Sequence, residues 1–379
     1  MSVYFDNSAT TKPFKEVIKK ISEVMENNYG NPSSAHKFGL MAYKELQKSR
    51  EILAALINSS PDEIIFTSGG SESNNMVLKG IARPGLNIIT TSIEHASIMS
   101  TCRELENSGV EIKYLPVDSL GRVDLKELEN SVNKDTALVS IMHVNNEIGT
   151  IQDIKAVSEI VRSKSTRAKF HVDAVQSFGK LPIDVKEFDI DFLSASAHKI
   201  HGPKGIGLCY IRKNIRLRSL ITGGEQELGI RAGTVNVPGA AGFAAAGEII
   251  NKSMASNYQK VWELKEYFIQ RLKEIPEAIV TSYLTQDFTP YILNVQFKGI
   301  RGEILLRMLE EKDIFVSSGA ACSSKSNKDS HVLKAVNIDH EGILSSVRFS
   351  FNPYNDKEEI DKVVDELKKS LIFLRRMKK

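Results

Sequence analysis

The chain has 379 residues, of which 41% are hydrophobic and 26% are charged, as in ordinary globular proteins. Lysine and arginine together number 50 and aspartate and glutamate 47, and this near balance excludes a protein that must bind nucleic acid through its net charge. No apolar run reaches membrane-spanning length and the first residues do not resemble a signal peptide, so we expect a cytoplasmic protein without a membrane partner.

Strand and helix patterns alternate through the first half of the chain. A helix is expected around residues 17–25, where apolar side chains recur on one face. Candidate strands follow at residues 63–67, 87–91, 111–117, 137–142, 169–173, 191–194 and 207–212, with helical segments at 73–81, 95–108, 124–132 and 154–164 between them. This alternation predicts an α/β fold with a mostly parallel seven-stranded sheet that helices cover on both faces.

The pattern changes beyond residue 240. A long helical region at 241–274 precedes a strand at 292–297, a helix at 302–311 and an amphipathic final helix around 360–374. The length of the chain favours one large and one smaller domain. We therefore expect a large domain of residues 13–256 and a smaller α+β domain of residues 1–12 and 257–379, with a helical hinge near residue 257.

Polar residues recur directly after the predicted strands, where the carboxyl ends of a parallel sheet form binding sites. They are Gly70, Ser71, His95, Asn146, Asp173, Gln176, Ser196, His198 and Lys199.

Lys199 and Asp173 indicate the chemistry. A lysine amine can hold the aldehyde of pyridoxal phosphate (PLP), and a carboxylate can keep the ring nitrogen of this cofactor protonated, so that the ring accepts electrons. Asp173 ends an apolar strand, where an ionised side chain needs such a partner. The pair predicts carbanion chemistry on an amino acid, although a role for Asp173 as an ordinary strand-end cap stays open.

Three further positions fit this cofactor, and each has a plain structural alternative. The glycines before Ser71 link a strand to a helix whose N-terminus favours a phosphate, but many turns contain two glycines. His95 could lie against the cofactor ring and move a proton, or could simply begin a helix. Asn146 could bind a cofactor oxygen or a substrate carboxylate, or could shape a turn.

The three cysteines have different surroundings. Cys322 lies among small and polar residues near two lysines, where we expect an accessible and reactive thiol. Cys102 and Cys209 lie in apolar contexts and are expected to be buried and inert. The scattered spacing and odd number suggest neither a disulfide framework nor a cysteine metal site.

A zinc hydrolase is an alternative of another class. His198 and His201 have a His-x-x-His spacing, and His171 lies two residues before Asp173. Zinc catalysis usually needs a third convergent ligand, so the prediction is that no metal is bound.

The chain resembles the PLP-dependent cysteine desulfurases, which supply sulfur for iron–sulfur clusters and thio-modifications. The resemblance spans nearly the whole chain and rests on the motifs DNSATT at 6–11, GNPSS at 30–34, MHVNNEIG at 142–149, HVD at 171–173, HK at 198–199, RAGT at 231–234, SSGAACSSKSNK at 317–328 and VRFS at 347–350. It implies fold type I of the PLP-dependent transferases. Two motifs depart from the usual family pattern, GAAC at 319–322 and SGGSES at 68–73, but both keep small or hydroxylated side chains.

The resemblance implies a role for each residue on the cofactor side. Lys199 would bind the PLP aldehyde, Asp173 the ring nitrogen and Gln176 the ring oxygen. His95 would stack on the ring. The phosphate would be held by Gly70, Ser71, Ser196 and His198, joined by Thr234 from the other subunit of a homodimer.

On the substrate side, the resemblance implies that Asn146 and Arg348 fix the carboxylate of L-cysteine, with a bidentate grip by the guanidinium. Cys322 would take the sulfur as a persulfide, leaving L-alanine, and pass it to an acceptor such as an iron–sulfur scaffold or a tRNA-thiolation enzyme. A selenocysteine lyase of the same fold, an aminotransferase that does not need Cys322, and a sulfur carrier without turnover stay open as alternatives.

Overall fold

A computed structural model describes residues 2–318 and 329–377 of the chain. Its strands are β1 Val3–Tyr4, β2 Ile64–Thr67, β3 Asn87–Thr91, β4 Glu111–Leu115, β5 Thr136–Met142, β6 Lys169–Asp173, β7 Phe192–Ser196, β8 Gly207–Ile211, β9 Ala278–Val280, β10 Ile292–Phe297, β11 Ile314–Phe315, β12 Ser317–Ser318 and β13 Ser346–Ser350. Its α-helices are α1 Lys15–Asn27, α2 Lys37–Ala55, α3 Gly70–Ile81, α4 Ala96–Asn107, α5 Leu125–Ser131, α6 Ile154–Lys164, α7 Val237–Lys252, α8 Met254–Leu272, α9 Gly302–Glu310, α10 His331–Ala335, α11 His340–Ser345 and α12 Lys357–Met377.

The large sheet has seven strands in the order β2-β8-β7-β6-β5-β3-β4, which confirms the predicted α/β fold. Strand β8 runs antiparallel to both of its neighbours, while the other pairs are parallel. Residues 197–206 join β7 to β8 and are too few for the crossover that a parallel pair requires, so the chain turns back beside β7.

Helices cover both faces of the large sheet. Consecutive side chains of a strand point to opposite faces, and Phe66 of β2 accordingly packs in one hydrophobic cluster while Ile65 packs in another. The first cluster includes side chains of α1, α2, α6 and α7, and the second includes side chains of α3 and α4. The predicted strand at 111–117 ends at Leu115 because the next residue, Pro116, has no N–H for the ladder.

A smaller antiparallel sheet has the order β12-β13-β10-β9, and β1 pairs in parallel with β11. Val3 and Phe5 belong to the hydrophobic core that this sheet shares with α8 and α12. The long helical region predicted at 241–274 consists of two helices, because Ser253 between α7 and α8 has non-helical dihedral angles (φ −129°, ψ 15°). The two-domain division stays a prediction.

None of the helices in the described part of the chain combines the length and the apolar content that crossing a membrane requires.

Candidate active site

A cavity of about 350 Å³ lies at the carboxyl ends of β5, β6 and β7. Its lining includes ten of the predicted residues, namely Gly70, Ser71, His95, Asn146, Asp173, Gln176, Ser196, His198, Lys199 and Arg348. Thr234 is exposed and does not line it. A larger open groove of about 700 Å³ runs between α9 and β11–β12, but its lining contains none of the predicted residues.

Lys199 ends a 3₁₀ turn that follows directly on β7, so the strand end brings its side chain to the cavity. Its amine donates hydrogen bonds to the backbone carbonyls of Ser8 and Ala9, and the distance from Nζ to the Ala9 oxygen is 3.0 Å. These carbonyls belong to the N-terminal segment, which is itself tied to the small sheet through a bond from the Ser8 amide to Ser350 Oγ at 2.8 Å. The amine therefore lies where the two sheets approach each other.

Asp173 is the last residue of β6, and its carboxylate is held firmly in a buried position. Oδ2 accepts a hydrogen bond from Asn74 Nδ2 at 2.7 Å, and Oδ1 accepts one from the Val175 amide at 3.0 Å. Only 4% of the residue is exposed. A fixed, buried carboxylate of this kind can stabilise a cationic ring nitrogen in the cavity.

The cavity has polar groups that a bound cofactor could satisfy. Within the described residues, Gln176 Oε1 and Ser8 Oγ are buried without a hydrogen-bond partner, although Gln176 Nε2 donates to the Ser8 carbonyl at 3.0 Å. Buried polar atoms usually have partners, so these two atoms fit a polar ligand. Both residues line the cavity beside Asp173 and Lys199. Together these side chains supply the hydrogen-bond donors and acceptors that PLP requires.

The N-terminus of α3 lies at the cavity and has features that suit a phosphate. Gly69 precedes it with φ +154°, a conformation that essentially requires glycine, and a Cβ atom on Gly70 would lie 2.4 Å from Val175 Cγ2. The backbone amides of the first helical turn have no intrahelical partners and favour an anion. Ser196 approaches the same turn, since its Oγ would be 3.6 Å from a Cβ on Gly69.

His198 is adjacent to Lys199 and is held in its neutral form. Burial, together with the charge of Lys199, lowers the pKa of the imidazole to about 4. Its Nδ1 lies 3.2 Å from Thr10 Oγ1. The neutral ring still has one N–H group, which can donate to a phosphate.

His95 precedes α4 and caps it, as the structural alternative expected, and it also lines the cavity. Its Nδ1 accepts a hydrogen bond from the Ser97 amide at 3.1 Å, so the proton of the neutral ring is on Nε2. Burial lowers the pKa of His95, which keeps the ring neutral near pH 7. The capping bond thus fixes both the orientation and the tautomer of the ring.

Arg348 brings a positive charge from the small sheet to the cavity. Its Nη1 donates to the Asn146 carbonyl at 2.8 Å and its Nη2 to Asp6 Oδ1 at 2.8 Å. The residue is only 2% exposed, and its Nε is buried with no hydrogen-bond partner within the described residues. A guanidinium with unused donor capacity in a cavity is suited to bind a carboxylate.

Sequence reasoning missed several residues of this site. Asn74 is one helical turn after Gly70, so its spacing alone could have placed it beside the same strand ends. Ser97 is two residues beyond His95, where a polar residue can bond with the capping side chain. Ser8 lies in the N-terminal motif DNSATT, but no local pattern shows that this segment crosses to the large sheet.

Glu94 is a buried carboxyl group next to the cavity, in the polar strand-end pair Glu94-His95. It is fully buried, and burial raises its pKa to about 8. One oxygen, Oε1, accepts hydrogen bonds from Thr91 Oγ1 at 2.6 Å and from the Met142 amide at 3.0 Å. The other oxygen has no partner within the described residues.

The histidines considered for zinc have other partners. His201 Nδ1 donates to the Lys12 carbonyl at 2.8 Å, and His171 lies between Ser140 Oγ and Ser194 Oγ at 2.8 and 2.9 Å. Across residues 2–318 and 329–377, no three or more His, Cys, Asp or Glu side chains form a group that could hold a metal.

Two of the three cysteines can be located. Cys102 and Cys209 are free thiols and are buried, as predicted. Burial raises the pKa of the Cys102 thiol to about 12 and also raises that of Cys209, so both are poor nucleophiles. Cys322 lies outside the described residues.

The sequence pattern of the aminotransferase class-V family matches residues 3–363, and the chain belongs to this family. A protein named cysteine desulfurase IscS from Methanosarcina thermophila is 43% identical, with 99% of this chain and 93% of that protein aligned. A protein of the same name from Dictyoglomus turgidum is also 43% identical, over 98% of this chain and 95% of that protein.

Solved structures show the same fold. A NifS-like protein superposes with a TM-score of 0.93 at 40% identity, covering 98% of this chain and all of that one. A structure described as SspA in complex with cysteine has a TM-score of 0.82 at 34% identity, covering 94% of this chain and all of that one.

Proposed function

We propose that this protein is a PLP-dependent cysteine desulfurase that converts L-cysteine to L-alanine and keeps the sulfur as a persulfide on Cys322. The observation that carries this proposal is the placement of Lys199 and Asp173 in one cavity with Arg348, in a chain 43% identical to proteins named cysteine desulfurase. The related structure that is described as a complex with cysteine supports the choice of amino acid.

PLP, when bound, supplies an electron-accepting ring that stabilises negative charge at the α carbon of the substrate. Lys199 would hold its aldehyde, Asp173 would keep the ring nitrogen protonated and Gln176 would bind the ring oxygen. The residues that would hold the phosphate are Gly70, Ser71, Ser196 and His198.

Substrate binding is assigned to the side of the cavity nearest the small sheet. Arg348 pairs with the substrate carboxylate, using the donor capacity that Asn146 and Asp6 leave unused, and the Asn146 side chain orients the same group. Once the substrate amine has replaced Lys199 at the aldehyde, the released Lys199 amine would be the base that removes the α hydrogen as a proton. His95, with its proton on Nε2, can donate that proton to a leaving group or product.

Sulfur transfer is assigned to Cys322. Its thiolate attacks the sulfur of the substrate, an S–S bond forms, and the bond between Cβ and that sulfur breaks. The electron pair of the broken bond stays on the three-carbon fragment, which takes up one proton at Cβ, regains a proton at the α carbon and leaves as L-alanine. The persulfide then passes its outer sulfur to an acceptor protein, of which an iron–sulfur scaffold and a tRNA-thiolation enzyme are the candidates.

A homodimer is part of the proposal. Thr234 is exposed outside the cavity of its own chain, which is compatible with a role in the phosphate site of a partner subunit. Exposed apolar side chains in the same region, Leu220, Ile221 and Leu228, supply surface that association could bury. The cytoplasmic location stays a prediction.

The test compares the PLP-loaded protein with its Cys322→Ser variant. The parent should release alanine and, with a reducing agent, an equal amount of sulfide from L-cysteine. The variant should bind PLP and still change its visible absorbance on addition of L-cysteine, but form no persulfide. Undiminished sulfide release by the variant would remove Cys322 from the mechanism, and absence of alanine in the parent would overturn the proposed function.

A further inference from the structure

Lys180 is a buried lysine that lies close to Lys199 in the fold. It follows Gly179 in the turn after β6, and its amide donates to the Ser177 carbonyl at 2.9 Å. Gly179 has φ +70°, and a Cβ atom there would lie 3.2 Å from Ile200 Cγ2. Because Ile200 directly follows Lys199, this close approach packs the turn of Lys180 against the chain that carries the Lys199 amine.

Both lysines line a small cavity of about 10 Å³, and Lys199 also lines the cavity of about 350 Å³. The lining of the small cavity includes His201, Tyr291 and Asn352, and none of the described residues around it is an aspartate or a glutamate. A protonated amine at this position therefore has no carboxylate partner in the lining of the small cavity.

The side chain of Lys180 has little to stabilise a positive charge. The residue is 8% exposed, and its nitrogen lies 5.4 Å from the centre of the Tyr291 ring. Within residues 2–318 and 329–377, its amine makes no hydrogen bond or ion pair. The buried amine of Lys265, by contrast, donates to the Tyr283 and Thr289 carbonyls at 3.1 Å each. A buried ammonium group without such acceptors is costly.

The surrounding groups leave an excess of positive charge near the two amines. The titratable and charged residues that face them are Asp6, His95, Asp173, His198, His201, Tyr291 and Arg348. Burial lowers the pKa of His95, lowers the pKa of His198 and of His201 to about 4 and raises the pKa of Tyr291, so these four side chains are neutral near pH 7. Arg348 is paired with Asp6, which leaves Asp173 as the negative charge that faces the two lysines.

The charges of the two lysines are coupled. Burial, together with the positive charges of Lys199 and Arg348, lowers the pKa of Lys180 to about 7. Repulsion between two ammonium groups is mutual, so a proton on Lys180 also disfavours a proton on Lys199. Two such amines titrate as a pair, and near neutral pH the pair holds fewer protons than two separate lysines would hold.

We propose that Lys180 is a positioning residue whose charge favours the neutral, reactive form of the Lys199 amine, an inference whose meaning in catalysis rests on the proposed function. A protonated amine has no lone pair, so it can neither bind an aldehyde covalently nor remove a proton. Asp173 and the carbonyls of Ser8 and Ala9 favour the protonated form of Lys199, and the charge on Lys180 opposes them.

The test measures the reactivity of Lys199 in the full-length protein freed of cofactor. Trace acetylation with acetic anhydride between about pH 6 and pH 10, followed by peptide mass spectrometry, gives the pH midpoint of the Lys199 reaction. Lys180→Met removes the charge, whereas Lys180→Arg makes it permanent. We expect the midpoint to be about one pH unit lower in Lys180→Arg than in Lys180→Met.

The parent should resemble neither variant at every pH, because Lys180 itself titrates. Near pH 7, Lys199 should react about fivefold more slowly in Lys180→Met than in the parent. At a pH where both amines are neutral, the parent and Lys180→Met should react alike. Coincident midpoints for Lys180→Met and Lys180→Arg would overturn the inference.

Two further variants separate the charge from other effects. Lys186→Met is the matched control, because it removes the same charge from an exposed lysine, where water screens it, and the reaction of Lys199 should not change. Lys180→Gln removes the charge but keeps an N–H donor, and it tests the inference if Lys180→Met does not fold. A Lys180→Gln protein that reacted like the parent would show that the charge is not responsible.

Kinetics of the PLP-loaded protein connect this effect to the reaction. Lys180→Met should lower kcat for alanine formation near pH 7, and the loss should narrow as pH rises. A loss of the same size at every pH would indicate a structural role and contradict the inference. Acetylation needs no turnover, so a parent that released no alanine would overturn the proposed function, while the charge effect on Lys199 would still be measured.

Discussion

The large sheet and the small sheet contribute to the cavity in different ways. Asp173 and Ser196 are the last residues of β6 and β7, so the topology of the parallel strands alone brings them together. Arg348 is the middle residue of β13 in the small sheet, and it reaches the cavity through bonds to Asn146 and Asp6. The strand ends of the large sheet therefore supply the cofactor side chains, whereas the substrate side depends on a side chain that the small sheet brings to the cavity.

The largest expected effect lies on the cofactor side. Lys199→Ala should lower the rate of alanine formation at least about a thousandfold, because the covalent anchor and the proton acceptor are lost together. The visible absorbance of the bound cofactor should also change, which a spectrum of the purified variant measures. The matched control is Lys204→Ala, an exposed lysine on the following turn that should leave both properties unchanged. An active Lys199→Ala protein would contradict the assigned role.

The next effect tests the substrate side. Arg348→Lys keeps the charge but loses the bidentate geometry, so KM for L-cysteine should rise about a hundredfold, with a smaller change in kcat. Steady-state kinetics on the PLP-loaded protein measures this. Arg307→Lys is the control, since that side chain is 82% exposed on α9. A loss of kcat at unchanged KM would move Arg348 from substrate binding to catalysis.

A smaller effect tests the contact between the cores directly. Asp6→Asn removes the carboxylate that holds Arg348 Nη2 but leaves a hydrogen-bond acceptor of the same size. We expect KM for L-cysteine to rise about tenfold without loss of bound PLP, because only the orientation of the guanidinium is weakened. Release of the cofactor from this variant would show that the N-terminal segment serves the cofactor side instead.

The smallest effect concerns stability and pH. The folded-state pKa of Glu94 is about 8, above its ordinary value of 4.5, so between these values the folded protein holds a proton that the unfolded chain has lost. The stabilisation from this proton is complete below about pH 4.5 and is lost as pH rises through 8. Glu94→Gln has no such proton, so its free energy of unfolding relative to the parent should rise by up to a few kcal/mol across this window. Urea denaturation at several pH values measures the difference, and a constant offset would contradict it.

The sequence predicts the cofactor side better than the substrate side for a physical reason. Parallel strands present their carboxyl ends at one edge of the sheet, so residues that follow these strands are candidates for a binding site. Asp173 and Lys199 could be found in this way. Arg348 lies within a strand, where no local pattern distinguishes a buried functional arginine, and only the family resemblance indicated it. Ser8 acts through a contact with a residue 168 positions away, which no local pattern shows, whereas the helical spacing from Gly70 could have indicated Asn74.

The limits of the fold prediction have the same origin. The alternation of strands and helices gave the large sheet almost residue by residue because its periodicities are local. The break at Ser253 was missed because neither glycine nor proline marks it, and both flanking segments have helical patterns. The pairing of β1 with β11 joins residues more than 300 positions apart and has no local sequence pattern.

The central claim is that this cavity removes sulfur from L-cysteine and delivers it to Cys322. The most direct measurement is mass spectrometry of the PLP-loaded protein after a single turnover with L-cysteine, with the peptide that contains Cys322 isolated under non-reducing conditions. The account predicts one added sulfur atom on Cys322 and an equal amount of free alanine. Alanine formed with the sulfur on another residue, or pyruvate in place of alanine, would contradict it.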